Sequence, residues 1–320
     1  MINIKFFNRF LYLLLCISIT LSLVSCGNYS NSNKKNANET KIEEKASTYP
    51  KKIKDFSGKE ITLEKEPQKV VSLAPSATET VFAIGKGNLL VGRTDYCNYP
   101  DETTKITSIG KLEQPNIEKI LELQPDIVLA SSLTKPEVIK KLENANIKVI
   151  GVLDSAMTFD DVYKNISNFG IALNAEKKSD ELIKNMKNKV NNLSNKLKNS
   201  KKPSVYYVIS YGKSGDFTAT GDTFISELIS IASGNNIAKD SKGWNYSKEQ
   251  LLSKDPDIII VSKYMDTKKG FMNDPSYKSL KAVKENKVFE IDNNNLDIPG
   301  PRLTNGLEDL VRTIHPEIFK

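Results

Sequence analysis

The chain reads as an α/β protein, two Rossmann-like lobes with mostly parallel sheets joined by one long rigid α-helix. Three observations predict this. Short apolar strands alternate with amphipathic helices from about Lys69 onward, the pattern of strands that pair in parallel with helical crossovers between them. The stretch from Ala175 to about Ser200 then has no Pro and no Gly, and its apolar residues Leu182, Met186, Val190, Leu193 and Leu197 recur at spacings of 4, 4, 3 and 4. That is a single stripe on a helix. Beyond Pro203 the alternation restarts. About 25 helical residues rise roughly 40 Å, enough for a connector lying across two lobes.

The amino terminus carries Lys5 and Arg9 and no acid, followed by an apolar run over roughly Phe10 to Val24. This is the form of a secretory signal peptide, and it is short for a membrane span of about 20 apolar residues. It ends in Leu23-Val24-Ser25-Cys26-Gly27, which resembles a bacterial lipobox. The resemblance implies cleavage after residue 25 and lipid on the Cys26 thiol, so residues 1–25 are expected to leave. Residues 26–50 are rich in Asn, Ser, Lys and Glu and bury too little to fold. They are expected to form a flexible tether at the outer face of the cell membrane. With Cys16 removed and Cys26 lipidated, only Cys97 remains, and no internal disulfide is available. The length left is enough for two lobes, each with its own core. The formal charge is +7, of which Lys5 and Arg9 contribute two, leaving +5. So modest an excess suits solubility beside an anionic membrane and is no nucleic-acid footprint.

In order, Ile53–Leu63 reads as a small hairpin. Lys69–Leu73, Leu89–Gly92, Asp126–Ser131 and Lys148–Val152 read as strands. Ala77–Ile84, Ile117–Leu123, Pro136–Ala145 and Phe159–Leu173 read as helices, completing an amino-terminal lobe over residues 51–173. The connecting helix takes 174–201. In the carboxy-terminal lobe, 202–320, Ser204–Ile209, Asp257–Val261 and Lys287–Ile291 read as strands. Thr223–Ala232, Ser247–Leu252, Ser276–Lys281 and Pro301–Thr313 read as helices, the last with Pro in its first turn, where the missing N–H costs nothing.

Two segments echo one another across the connector. Asn116-Ile117-Glu118 and Ser247-Lys248-Glu249 each open a short helix whose Glu lies seven residues before the Pro of a Pro-Asp pair, and an apolar strand follows at once. A carboxylate in the first turn suits the helix dipole, and Ser247-x-x-Gln250 suits a capping box. Repetition at one offset in both lobes argues for a second role.

Val71-Ser72-Leu73-Ala74-Pro75-Ser76-Ala77-Thr78-Glu79, Gly92-Arg93-Thr94-Asp95-Tyr96-Cys97-Asn98-Tyr99-Pro100, the two Glu/Pro-Asp segments, Gly243-Trp244-Asn245-Tyr246 and Pro299-Gly300-Pro301-Arg302-Leu303 occur in that order. On these the chain, from about Lys69 to Lys320, resembles the substrate-binding proteins of ABC importers for cobalamin and for ferric siderophores or haem, in lipoprotein form. The resemblance implies a ligand held between two lobes bridged by a rigid helix. It also implies one surface Glu per lobe docking on Arg residues of the permease, positions that fall on Glu118 and Glu249. A guanidinium donates to a carboxylate in a bidentate fork.

Ligands in open α/β sheets sit beyond the carboxyl ends of strands. Pro75 and Ser76, between the first strand and its helix, either face a ligand anion at the helix N-terminus or simply cap it. Tyr96 and Trp244 match aromatic cleft positions of cobalamin binders, and flat rings suit a corrin or porphyrin. Trp244, after Gly and before polar residues, is a pocket residue in preference to a core one. Tyr211 is either a pocket residue or a cap on the core. Arg302 pairs with a ligand anion or with a carboxylate of its own lobe. A bare transition metal wants several His or Cys ligands, whereas His315 is the sole His and Cys97 has no partner nearby. No catalytic set is assembled and no cofactor is expected. The expected function is capture of a corrinoid for an ABC permease and its ATPase, by a monomer. Ferric siderophore or haem uptake is the alternative, ahead of a surface sensor or enzyme on the same scaffold.

Overall fold

The computed structural model describes residues 48–152, 158–212 and 215–319, which fall in one compact unit. The expected signal peptide, Cys26 and nearly all of the tether lie outside the described residues. The chain begins with an antiparallel hairpin, β1 (Lys51–Lys54) and β2 (Glu60–Leu63). Its first sheet is built from β3 (Val70–Ser72), β4 (Leu90–Arg93), β5 (Thr107–Ser108), β6 (Ile127–Ser131) and β7 (Lys148–Val152), with α1 (Pro75–Ala83), α2 (Ile117–Leu123), α3 (Pro136–Asn144) and α4 (Phe159–Ala172) between and after them. All its pairs are parallel, in the order β5-β4-β3-β6-β7. The hairpin is pinned to this sheet at Gly151, whose N–H donates to Asp55 Oδ2 at 3.0 Å; a Cβ there would lie 2.8 Å from that oxygen.

The connector is α5 (Glu176–Lys196). Its 21 residues rise roughly 31 Å, shorter than the sequence suggested, because the chain tightens into turns at Leu197 and Ser200 before Pro203. Its apolar stripe packs between α4 and the closing helix, with Met186, Leu193 and Leu197 buried. Gly170 lets α4 and α5 meet closely, since a Cβ there would lie 2.0 Å from Ser179 Oγ. The second sheet comprises β8 (Ser204–Ser210), β9 (Phe217–Thr218), β10 (Asn235–Asn236), β11 (Ile258–Ser262) and β12 (Val288–Ile291). The order β10-β8-β11-β12 is parallel, and β9 adds an antiparallel pair on β8. Its helices are α6 (Phe224–Ile231), α7 (Lys248–Lys254), α8 (Thr267–Asn273), α9 (Lys281–Lys284), α10 (Asn294–Asp297) and α11 (Leu303–Ile314).

Two expected helices differ. Over Ser276–Lys281 the chain turns instead, because Asp274 accepts from Ser276 N at 2.8 Å and its carbonyl accepts from Tyr277 N at 3.1 Å; the helix starts at Lys281. The closing helix starts at Leu303, with Pro301 and Arg302 in the preceding turn. The expectation of one core per lobe is also corrected. The largest buried cluster runs unbroken from Val70 and Leu129 through Met186 and Leu193 to Val205, Phe224 and Leu310, and smaller clusters fill the outer face of each sheet. Phe159 of α4 meets Phe224 of α6 edge-on at 5.6 Å between ring centroids. Apolar area shared by both lobes makes their separation costly.

Candidate functional site

In each sheet two strands leave their common neighbour in opposite directions, β4 and β6 from β3, β10 and β11 from β8. The carboxyl ends at such reversals form a crevice. Seven of the ten large apolar side chains exposed among the described residues follow or end strands on this side: Tyr96 and Tyr99 after β4, Leu133 after β6, Ile209 in β8, Trp244, and Tyr264 and Met265 after β11.

Tyr96 is half exposed, at 50 %, on a turn held from both sides. Asp95 N donates to Gly110 O at 2.9 Å, and Cys97 N to Thr94 O at 3.1 Å. Cys97 is buried with Sγ 3.3 Å from Thr94 Oγ1, and burial pushes its thiol above the ordinary value despite the hydrogen bonds from Thr78 and Thr94. It is an inert anchor for the Tyr96 turn, since reactivity belongs to the thiolate.

Trp244 is 43 % exposed and has φ +70, after Gly243 at φ +76. A left-handed backbone is costly for an aromatic residue, and the neighbours fix it. Asp222 Oδ2 accepts from Gly243 N at 3.0 Å, Thr220 Oγ1 accepts from Trp244 N at 3.1 Å, and Trp244 O accepts from Thr218 N at 2.8 Å. Asp222 is held below the usual carboxylate range by Thr220 and by the Gly243 N–H. β9 carries this loop to the end of β8.

The floor between the lobes is ionic. Arg302 Nε and Nη2 donate to Glu79 Oε2 and Oε1 at 3.0 and 2.6 Å, and Nη1 to Asn295 Oδ1 at 3.2 Å. The guanidinium carbon lies 4.1 Å from the Tyr99 ring centroid. The carboxylate that Arg302 pairs with is therefore not one of its own lobe, as the sequence had suggested it could be; there it donates to the Asn295 amide. Its partner is Glu79 on α1 of the other lobe, whose bidentate geometry occupies the guanidinium edge. Burial pushes the Glu79 carboxyl up, and Arg302 pulls it part of the way back. Gly300 lies directly against this pair: a Cβ there would sit in ordinary contact, 3.5 Å from Glu79 Oε2 and 3.6 Å from Ser76 Cα.

One further expectation changes here, and one open alternative narrows. Ser76 does not cap α1, whose N-cap is Ala74 with Pro75 at its start, and Ser76 is buried beneath the Gly300 turn instead of facing an open cleft. Tyr211 packs edge-on against Phe271 and Tyr277, at 5.2 and 5.9 Å, with its hydroxyl over Gly270, so it caps the second lobe's aromatic cluster. His315 is buried at the end of α11, within 3.1 Å of Glu317.

Sequence reasoning missed Glu79 as a site residue, along with Tyr99, Tyr264 and Met265. Glu79 had a signal, an acid between small and apolar neighbours in a helix. Tyr264 donates to Asp292 Oδ1 at 3.0 Å. Met265, at 94 % exposure, stands on consecutive left-handed residues, Met265 and Asp266.

The repeated segments match in their local bonding. Asn116 Oδ1 accepts from Lys119 N at 3.0 Å, and Ser247 Oγ from Gln250 N at 3.1 Å. Each Pro-Asp carboxylate clamps the start of the first strand of its parallel sheet, β3 or β8. Asp126 Oδ2 accepts from Gln68 N and Lys69 N at 2.8 and 3.0 Å; Asp257 Oδ2 accepts from Ser204 N and Oγ at 3.0 and 2.7 Å. The Ser204 N–H and hydroxyl hold Asp257 down at about 2. For Asp126 burial opposes, but the two backbone N–H groups and Lys65 outweigh it and lower the carboxyl. A helix that feeds directly into a parallel strand runs against it, so Glu118 and Glu249, both exposed near their helix starts, lie on the crevice side of their sheets.

This architecture, two parallel sheets, a bridging helix and an aromatic-rimmed crevice, defines a two-lobed binding protein. The periplasmic binding protein model matches residues 70–295, and the chain belongs to that family, the substrate-binding proteins of ABC importers. YvrC, an uncharacterized ABC transporter substrate-binding lipoprotein of Bacillus subtilis (strain 168), is 35 % identical over 304 residues, 93 % of this chain and 94 % of that one. Among solved structures, a possible iron-binding (periplasmic solute-binding) protein of Staphylococcus epidermidis is 29 % identical, with TM-score 0.70 over 78 % of this chain and all of the other. The periplasmic vitamin B12-binding protein BtuF of Vibrio cholerae is 25 % identical, with TM-score 0.68 over 78 % and 96 %.

Proposed function

We propose that the chain captures a corrinoid between Tyr96 and Trp244 and delivers it to an ABC permease on which Glu118 and Glu249 dock, while lipid on Cys26 anchors it outside the cell. It acts as a monomer, without a cofactor and without catalysis; the corrinoid is cargo. The observation that carries this reading is the pair of exposed rings on anchored loops, one from each sheet's carboxyl edge. Trp244 in particular stands in a strained conformation that three hydrogen bonds maintain. Strain of this kind clusters where a side chain must be presented, and a broad ring face offers large contact area at small entropy cost. The nearby cation Arg302 is already neutralised by Glu79, which favours a bulky ligand held by faces over a small anion. Pro75, at the start of α1, borders the same crevice.

An iron chelate or haem is the second reading. The exposed phenols of Tyr96, Tyr99 and Tyr264 favour it. Titration calorimetry with cyanocobalamin, cobinamide, haemin and a ferric hydroxamate separates the two. Tight corrinoid binding, weakened by Trp244→Ala, is expected. Heat from haemin or the hydroxamate alone would sink the corrinoid reading while keeping the transport role.

A further inference from the structure

The helices that carry Glu118 and Glu249 share a second feature. Position by position, residues 116–126 of one correspond to 247–257 of the other at a constant offset. Both helices end on a left-handed residue, Gln124 at φ 50 and Asp255 at φ 42, followed by a buried Pro. On each, one apolar residue faces inward and is fully buried, Ile120 and Leu251. The very next residue is again a Leu and points outward: Leu121 is 40 % exposed and Leu252 36 %. Of the three large exposed apolar side chains away from the strand ends, these are two, the third being Phe56. Nothing in the packing needs them, since Ile120 and Leu251 already fill the lobe-facing positions.

Residues three apart are neighbours on one helix face. Glu118 thus stands one turn from Leu121, and Glu249 one turn from Leu252. No ion pair or hydrogen bond to either Glu side chain occurs among the described residues. The same carboxylate-plus-leucine patch is displayed twice, on the crevice side of each lobe.

We propose that Leu121 and Leu252 are the apolar halves of two matched contact points on the permease, each seated in an apolar recess beside the cation that takes the neighbouring Glu. The proposal rests on the reading that Glu118 and Glu249 dock. An exposed carboxylate–cation pair alone is weak and screened by salt. An adjoining apolar contact that excludes water strengthens such a pair, as rims around interface anchors do, and is itself insensitive to salt. The flanks differ, with Lys119 and Glu122 on one helix against Gln250 and Ser253 on the other. Two points alike in their anchors and unlike in their surrounding charge also fix which lobe meets which half of the partner.

The test uses full-length protein in cells of its own species lacking the native copy. Uptake of radiolabelled cyanocobalamin, haemin and a ferric hydroxamate is measured, and the ligand whose uptake the deletion abolishes is the readout. The double variant Leu121→Gln/Leu252→Gln keeps side-chain length and helix propensity. Its uptake rate is expected to fall tenfold or more, equivalent to about 1.4 kcal/mol, with ligand Kd unchanged by calorimetry. Leu121→Met/Leu252→Met is expected to retain uptake, which guards against misfolding. Normal uptake by the Gln variant, where Glu118→Ala/Glu249→Ala loses it, would overturn the proposal and leave docking by carboxylates intact. If neither pair of changes affects uptake, or deletion abolishes none, the docking reading falls and the proposal with it.

Discussion

At the base of the crevice Arg302 and Glu79 are committed to one another, whereas at its rim aromatic side chains are exposed on stiffened loops. Arg302 donates to Glu79 and Asn295 and lies over the face of Tyr99. Trp244, by contrast, is hydrogen-bonded among the described residues only through its backbone, and the residue is 43 % exposed. The contrast teaches how one crevice divides its labour. Buried charge bridges the lobes, and exposed aromatic area carries the proposed recognition.

The largest test breaks the floor. Arg302→Ala leaves the Glu79 carboxyl buried without its cation and is expected to cost about 3–5 kcal/mol, read from urea unfolding. Glu79→Leu/Arg302→Met should recover most of that loss, because an apolar pair of similar volume needs no desolvation of charge. A loss under about 1 kcal/mol in the single variant would mean that the pair is ornamental.

At the rim the expected signs are opposite. Trp244→Gly removes the ring and relieves the left-handed backbone, so stability should rise by up to about 1 kcal/mol. Cyanocobalamin affinity should fall by roughly thirtyfold, about 2 kcal/mol. Calorimetry and thermal melts together decide; a variant that loses both would make Trp244 structural.

A carboxylate outside both regions sharpens the point. Asp257 is partly exposed and is held down by N–H and O–H donors in place of burial. Its folded-state value, about 2, lies below the unfolded one, so its contribution is present above about pH 4 and is lost as pH falls through about 2. After allowance for solvent screening, Asp257→Asn is expected to cost about 1 kcal/mol at neutral pH. Parent and variant should converge in acid, as followed by circular dichroism.

The smallest effect concerns repulsion between the lobes. Burial, then Asp161 and Asp160 across the Phe159–Phe224 contact, push Glu227 above its ordinary value. A carboxyl raised on folding weakens the fold once ionised, and the penalty fades as pH falls through the folded-state value. Glu227→Gln should stabilise by a few tenths of a kcal/mol at pH 7, with no gain in acid, by thermal melts at both pH values.

Alternation, the hairpin, the long connector and the twin Glu/Pro-Asp segments were legible because each depends on near neighbours: period, caps and helix-stopping prolines. Exposure of Tyr96 and Trp244 was legible for the same reason, since glycine and polar flanks mark loops. The partner of Arg302 was not. Glu79 is more than two hundred residues away in the sequence, and only lobe apposition chose that carboxylate. The burial of Ser76, the capping role of Tyr211 and the continuity of the core were likewise decided by tertiary contact, since a side chain's local pattern says which way it faces but not what arrives to meet it.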